Sequence, residues 1–242
     1  MSSIRVLAFS SSRVANSAYL ETAAPVIKNF LGDKALNIAF IPFAAADNNY
    51  DDYVNKVREG LAALPYNIIV VKPESAKTII EQADVIMVGG GNTFKLLHHL
   101  YAQNLTDLIR QKVYAGTPYI GWSAGSNITG LTICTTNDMP IIEPASFKAL
   151  AFFPFQINPH YINIKAEGHN GETRDERLQE YLLVNNQATI IGLPEGTALQ
   201  LEGKTLTLAG DVPAVIFKNK TGKTGSEKTA IEARADLSYL LK

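Results

Sequence analysis

The chain has 242 residues, of which 46% are hydrophobic and 19% charged, so a disordered or collagen-like polymer is excluded and there is ample material for a full α/β core. Lys and Arg number 22 against 23 Asp and Glu, so no global charge attracts nucleic acid or an anionic membrane, and any charged ligand must be read by local groups. Cys134 is the single cysteine, which rules out an intramolecular disulfide and a thiolate metal cage. The apolar run near the N-terminus is too short for a signal-peptide core, and no stretch approaches the roughly 20 apolar residues of a membrane span. The chain reads as a soluble, cytoplasmic protein.

Over the first two thirds, short apolar runs alternate with helical patterns. Strands are predicted at Ile4–Phe9, Leu36–Ile41, Asn67–Val71, Asp84–Val88 and Thr117–Gly121. Helices are predicted between them at Ser17–Phe30, Tyr50–Leu64, Ser75–Gln82 and Asn92–Ala115, the last broken near Asn104. A run such as Val85-Ile-Met-Val88 is apolar at every position, as a strand covered by helices on both faces must be. This βαβ rhythm predicts a doubly wound, mostly parallel sheet. The last third changes character. A helix at Arg174–Asn185 is followed by β-like runs at Thr189–Leu193, Ala198–Leu201, Thr205–Leu208 and Ala214–Lys218, with a tight turn at Gly203-Lys204. These runs either extend the sheet or form an antiparallel appendage. No linker, repeat or low-complexity tract interrupts the chain, which points to one α/β domain over residues 1–242.

The strongest chemical signal is Gly121-Trp122-Ser123-Ala124-Gly125, a G-x-S-x-G motif between a predicted strand and a segment able to form a helix. Small residues allow a sharp turn that exposes the serine hydroxyl at the strand's C-terminal end. The Ala124 amide is then placed to face a developing oxyanion. Gly89-Gly90-Gly91-Asn92-Thr93 ends another apolar strand, and because parallel strands finish on one edge, Gly90 or Gly91 is a candidate for a second oxyanion amide. A dinucleotide-binding fingerprint would need glycine where Phe94 stands, and Ser10-Ser11-Ser12-Arg13, after the first strand, has no glycine at all.

A serine nucleophile needs a base, and the histidines are His98, His99, His160 and His169. His98 and His99 sit together in a helical stretch and read as structural. His160 follows an apolar run and a proline-fixed turn, which suits a rigid base, with His169 as runner-up. Two acids stand at unusually apolar addresses, Asp138 in Thr135–Pro140 and Glu195 after the Thr189–Leu193 run, and spacing does not separate them. Thr173-Arg174-Asp175-Glu176 fits a capping box and puts Arg174 in the first helical turn, where the dipole disfavours a cation unless an anionic ligand holds it there. Gly222-Lys223-Thr224 resembles the end of a P-loop, but Phe217 occupies the position of the required upstream glycine. There is no H-E-x-x-H and no calcium loop, so neither a catalytic metal nor another cofactor is expected; nor are aromatic and basic residues interleaved as in nucleic-acid binders.

Taken with Thr135–Pro140, Ile157-Asn158-Pro159-His160, Glu167-Gly168-His169, Gly171–Arg174 and Gly192–Gly196, the two glycine motifs resemble the peptidase E family over nearly the whole chain, up to about Gly203. That resemblance implies a cytoplasmic α-aspartyl dipeptidase of the serine type, on a fold akin to class I glutamine amidotransferases with serine replacing cysteine. It carries Ser123 over as nucleophile and His160 as base, leaves Asp138 and Glu195 both as candidates for the triad acid, and matches Arg174 to the position that grips the substrate's aspartyl carboxylate. The implied partner is a small peptide substrate, with no membrane or nucleic acid. A related serine hydrolase of other specificity, such as a cyanophycinase-like peptidase or an esterase, is the nearest alternative.

Overall fold

The computed structural model describes residues 3–165, 167–168, 170–220 and 225–242; His169 and the Gly222-Lys223-Thr224 look-alike lie outside the described residues. The first part of the chain forms β1 (Arg5–Phe9), α1 (Ala24–Leu31), β2 (Leu36–Ile41), α2 (Tyr50–Gly60), β3 (Tyr66–Val70), α3 (Ala76–Gln82), β4 (Val85–Val88), α4 (Thr93–Ala102), α5 (Leu105–Tyr114) and β5 (Tyr119–Trp122). A short helix α6 (Ala124–Asn127) follows, then β6 (Gln156–Asn158), α7 (Arg174–Val184), β7 (Thr189–Gly192), β8 (Ala198–Glu202), β9 (Thr205–Ala209), β10 (Ala214–Asn219) and β11 (Ser226–Ile231).

Seven strands make the main sheet in the order β3-β2-β4-β5-β1-β8-β9, parallel from β3 to β1 and antiparallel beyond. Alternate residues of β1 face opposite layers. Val6 and Ala8 join the core under α3 to α5, whereas Leu7 and Phe9 pack with Ile27 and Phe30 of α1 and with Val54 and Val57 of α2. Helices thus cover both faces, which is why β4 is apolar throughout. The remaining strands form a second sheet, β11-β10-β7-β6, in which β6 and β7 run parallel and α7 covers Ile190 and Phe217 through Leu178 and Leu182.

The runs of the last third therefore divide: β8 and β9 extend the main sheet around a turn at Gly203 (φ +64°), while β7 and β10 build the second sheet with two strands that periodicity does not reveal, β6 and β11. The first helix begins later than predicted, at Ala24 rather than Ser17. Proline stands in its first turn, the place where a missing N–H costs nothing, and Leu20 ahead of it takes a left-handed φ of +58°. The second helix stops at Gly60, short of Leu64; a Cβ there would come 2.4 Å from the Tyr19 carbonyl oxygen. Asn104, at φ +54°, makes the break between α4 and α5. Among the described residues, no helix is long and apolar enough to cross a membrane.

Candidate active site

Register brings three strand ends together. Gly121 of β5 pairs with Val88 of β4 on one side and with Ala8 of β1 on the other, so Gly89–Gly91, Ser123 and Ser10–Arg13 leave the sheet side by side. Ser123 sits on the turn from β5 into α6 at φ 54° and ψ −115°, a conformation that costs an L-residue about 1–3 kcal/mol and is held by its surroundings. Both flanking glycines are sterically required: a Cβ on Gly121 would lie 2.4 Å from the Gly125 carbonyl oxygen, and one on Gly125 would lie 2.3 Å from that of Val88. The Ser123 N–H donates to the Phe9 carbonyl at 3.2 Å, and the buried Ser126 hydroxyl donates to the same oxygen at 2.6 Å.

The glycine strand lies against this turn. A Cβ on Gly90 would meet the Ser123 Cβ at 2.9 Å. The Gly90 carbonyl accepts from the Tyr53 hydroxyl at 3.0 Å, and that hydroxyl in turn accepts from Trp122 Nε1 and from the Tyr19 hydroxyl, each at 3.2 Å. Burial pushes both phenols above the usual tyrosine range, so they act as neutral hydroxyls. Among the described residues, no backbone acceptor takes the amides of Gly90, Gly91 or Ala124.

His160 follows the end of β6. Since Asn158 pairs with Gly192 across the β6–β7 ladder, the segments carrying His160 and Glu195 emerge together. His160 Nδ1 and Glu195 Oε1 are 2.8 Å apart. A carboxylate only accepts, so Nδ1 carries the proton and Nε2 of the neutral ring is left as an acceptor. The base candidate also has a left-handed backbone, φ 51°, and its N–H donates to the Ser10 hydroxyl at 2.9 Å. Ser123, His160, Gly90 and Gly91 line one open cavity of about 530 Å³. The cavity is also lined by Ala45–Asp47, Asn49, Asp52 and Lys56, which carry no motif that sequence reading singles out.

Asp138 and Arg174 are placed differently. Asp138 Oδ2 accepts from the Thr93 N–H at 2.7 Å, at the start of α4, and from the Thr136 hydroxyl at 3.1 Å. Its loop touches the His160 turn through Asn137, whose Nδ2 donates to the Pro159 carbonyl at 2.8 Å, but it is Glu195 that bonds the imidazole. The capping box at the start of α7 is present, with the Thr173 hydroxyl and the Glu176 carboxylate each bonding the other's backbone N–H. Arg174 lines a separate cavity of about 370 Å³ with Asp138 and Arg177, not the one that holds Ser123. It is half-buried and has no carboxylate partner among the described residues; burial and then the neighbouring Arg177 pull its pKa down. His98 bonds the Glu143 carbonyl at 2.8 Å and His99 packs on Phe43, so neither faces Ser123's cavity.

The model of peptidase family S51 matches residues 6–209. The chain is 51% identical over 239 residues to the Peptidase E of Shewanella amazonensis (strain ATCC BAA-1098 / SB2B), covering 98% of this chain and 99% of that one. It is 50% identical over 214 residues to the Peptidase E of Haemophilus influenzae (strain PittGG), covering 88% and 92%. Among solved structures, a peptidase from an acI-B1 Actinobacterium shares the fold at a TM-score of 0.66 and 18% identity, covering 97% of this chain and 96% of that one.

Proposed function

We propose that this chain, which belongs to peptidase family S51, is a serine-type dipeptidase that hydrolyses dipeptides with an N-terminal aspartate through an acyl-enzyme on Ser123. The observation that carries the reading is one cavity lined by a serine on a strained strand-to-helix turn and by a histidine whose Nδ1 is held 2.8 Å from Glu195. In this reading His160 Nε2 takes the Ser123 proton as the hydroxyl attacks the scissile carbonyl. The amides of Ala124 and of Gly90 or Gly91 hold the oxyanion, a term worth about 3–4 kcal/mol per donor. His160 returns the proton to the leaving amine, and water then releases aspartate from Ser123.

Substrate selection falls to Arg174 and Asp138. An Asp-Xaa dipeptide presents a β-carboxylate, which suits a bidentate guanidinium, and an α-ammonium, which needs a carboxylate. Arg174 and Asp138 line one cavity, and only one oxygen of Asp138 is occupied by the start of α4. A second reading, a serine hydrolase of different specificity, draws on the fact that this cavity is distinct from that of Ser123.

Hydrolysis of Asp-Leu, Asn-Leu and Ala-Leu by the purified protein, beside Ser123→Ala, tests both. Cleavage of Asp-Leu alone, lost in the variant, supports the first reading. Cleavage of all three removes Arg174 as selector and favours the second. Cleavage of none by folded protein overturns peptide hydrolysis by this site.

A further inference from the structure

Ser10, at the C-terminal end of β1, is completely buried, and its hydroxyl makes two backbone bonds. It donates to the Leu193 carbonyl at 2.7 Å and accepts the His160 N–H at 2.9 Å. Its own N–H donates to the Thr197 carbonyl at 2.9 Å. One oxygen therefore joins the peptide of His160 to the carbonyl two residues before Glu195. The side chains of His160 and Glu195 are 41% and 49% exposed, so packing does not fix their rotamers. Their 2.8 Å contact depends on where the two backbones stand, and His160 is in addition held at a left-handed φ that does not persist unless neighbours impose it.

We propose that Ser10 is a positioning residue, whose hydroxyl sets the spacing between the His160 and Glu195 segments so that Nδ1 stays on the carboxylate and Nε2 stays free for Ser123. The proposal rests on the reading of His160 as the base. Removing the hydroxyl leaves the His160 N–H without its acceptor and takes one of two donors from the Leu193 carbonyl, at the one point where both segments meet, and they then separate or rotate. Tyr161, whose N–H also donates to the Leu193 carbonyl at 2.9 Å, keeps the two segments attached, so the expected defect is misalignment and not unfolding.

The test compares Ser10→Ala and Ser10→Thr by steady-state kinetics on Asp-Leu and by proton NMR of the far-downfield Nδ1–H signal, assigned by its disappearance in Glu195→Gln. For Ser10→Ala, kcat should fall about 100-fold, the loss that follows a displacement near 1 Å, while KM stays within about threefold and the downfield signal broadens or vanishes. Ser10→Thr, which keeps a hydroxyl, should restore the signal and most of kcat. An unchanged signal with kcat within about threefold of the parent overturns the proposal, as does an equal loss in both variants with the signal intact. If Ser10→Ala does not fold, Ser10→Cys, which keeps the bulk and weakens the bond, is read by the same two criteria. Ser123→Ala keeps the ideas apart: activity surviving it removes the serine mechanism, and the NMR signal alone then decides the role of Ser10.

Discussion

Replacing Gly90 by alanine separates catalysis from folding. Gly90 lies outside the left-handed region, so alanine suffers no backbone strain there, and the perturbation is purely one of space. The added Cβ would stand 2.9 Å from the Ser123 Cβ, 3.1 Å from Trp122 Cδ1 and 3.3 Å from the Trp122 carbonyl oxygen. None of these can yield easily: Trp122 is 1% exposed and stacked on Phe40 at 5.8 Å, and the Ser123 N–H is bonded to Phe9. Opening 2.9 Å to an ordinary contact of 3.4 Å or more therefore moves the Gly90–Gly91 segment about 0.5 Å away from Ser123. Deleting an oxyanion donor costs roughly 100- to 1,000-fold in kcat, and a displaced donor belongs at the lower end, about 100-fold or 2.7 kcal/mol. The assay is kcat on Asp-Leu with thermal unfolding of the same sample; KM should barely change. Gly91→Ala is the contrasting case, because φ is +134° and its Cβ would lie 2.3 Å from the Ala44 carbonyl oxygen, so there the loss should be mainly of stability. A folded Gly90→Ala protein with kcat within about threefold of the parent would refute the placement of these amides at the oxyanion.

Glu195→Gln should lower kcat by as much as about 10,000-fold with the fold intact, since the amide favours the wrong imidazole tautomer, whereas Asp138→Ala should raise KM and destabilise the start of α4 by about 1 kcal/mol in urea titrations. The opposite pattern would exchange the roles of the two acids. The bonds from the Thr173 backbone and hydroxyl hold the exposed Glu176 carboxyl below its ordinary 4.5, so its stabilising effect is present above that pH and is lost as pH falls through the lowered folded value. Denaturation of the parent and of Glu176→Gln should therefore differ at pH 7, and the difference should shrink as pH falls below 4.5; a gap that does not shrink contradicts the capping role. Tyr161→Phe removes a 2.5 Å bond to Asp175, whose other oxygen keeps Lys228 at 2.8 Å, and should cost about 1.5 kcal/mol by urea denaturation. No measurable loss would mean that the phenol finds an equal partner in water.

The parts of the fold that show in the sequence are those whose pattern is set by burial on both sides. The run at Leu36–Ile41 from Ile38 onward, and that at Val85–Val88 throughout, are apolar because α-helices cover both faces of β2 and β4. β11 lacks such a pattern. Its sequence, Ser-Glu-Lys-Thr-Ala-Ile, is exposed along most of an edge, so only the pairing with β10 makes it a strand. The late start of α1 was marked by Pro25, yet a helical pattern reaching back to Ser17 outweighs one proline when no partner is in view. Whether β7 to β10 extend one sheet or make another is equally hidden, because the period of two is the same in both arrangements.

The candidate site divides along the same line. Ser123 and its glycines are local: strand, turn and helix lie within a few residues, and Gly121 and Gly125 are demanded by contacts inside the motif and with the neighbouring strand. The choice between Asp138 and Glu195 is not local, and one short element decides the geometry. β6 has three residues, Gln156–Asn158, too few to show any period, yet its parallel pairing with β7 sets Asn158 opposite Gly192 and so brings His160 beside Glu195. With β6 invisible, the two acids stand on equal terms. Ser10 is hidden for a related reason. Nothing within its own segment marks it, because its hydroxyl bonds two backbone segments of the β6–β7 edge that lie far along the chain. Residues that serve the chemistry through a partner far along the chain become legible only once the strand that supplies the partner is known.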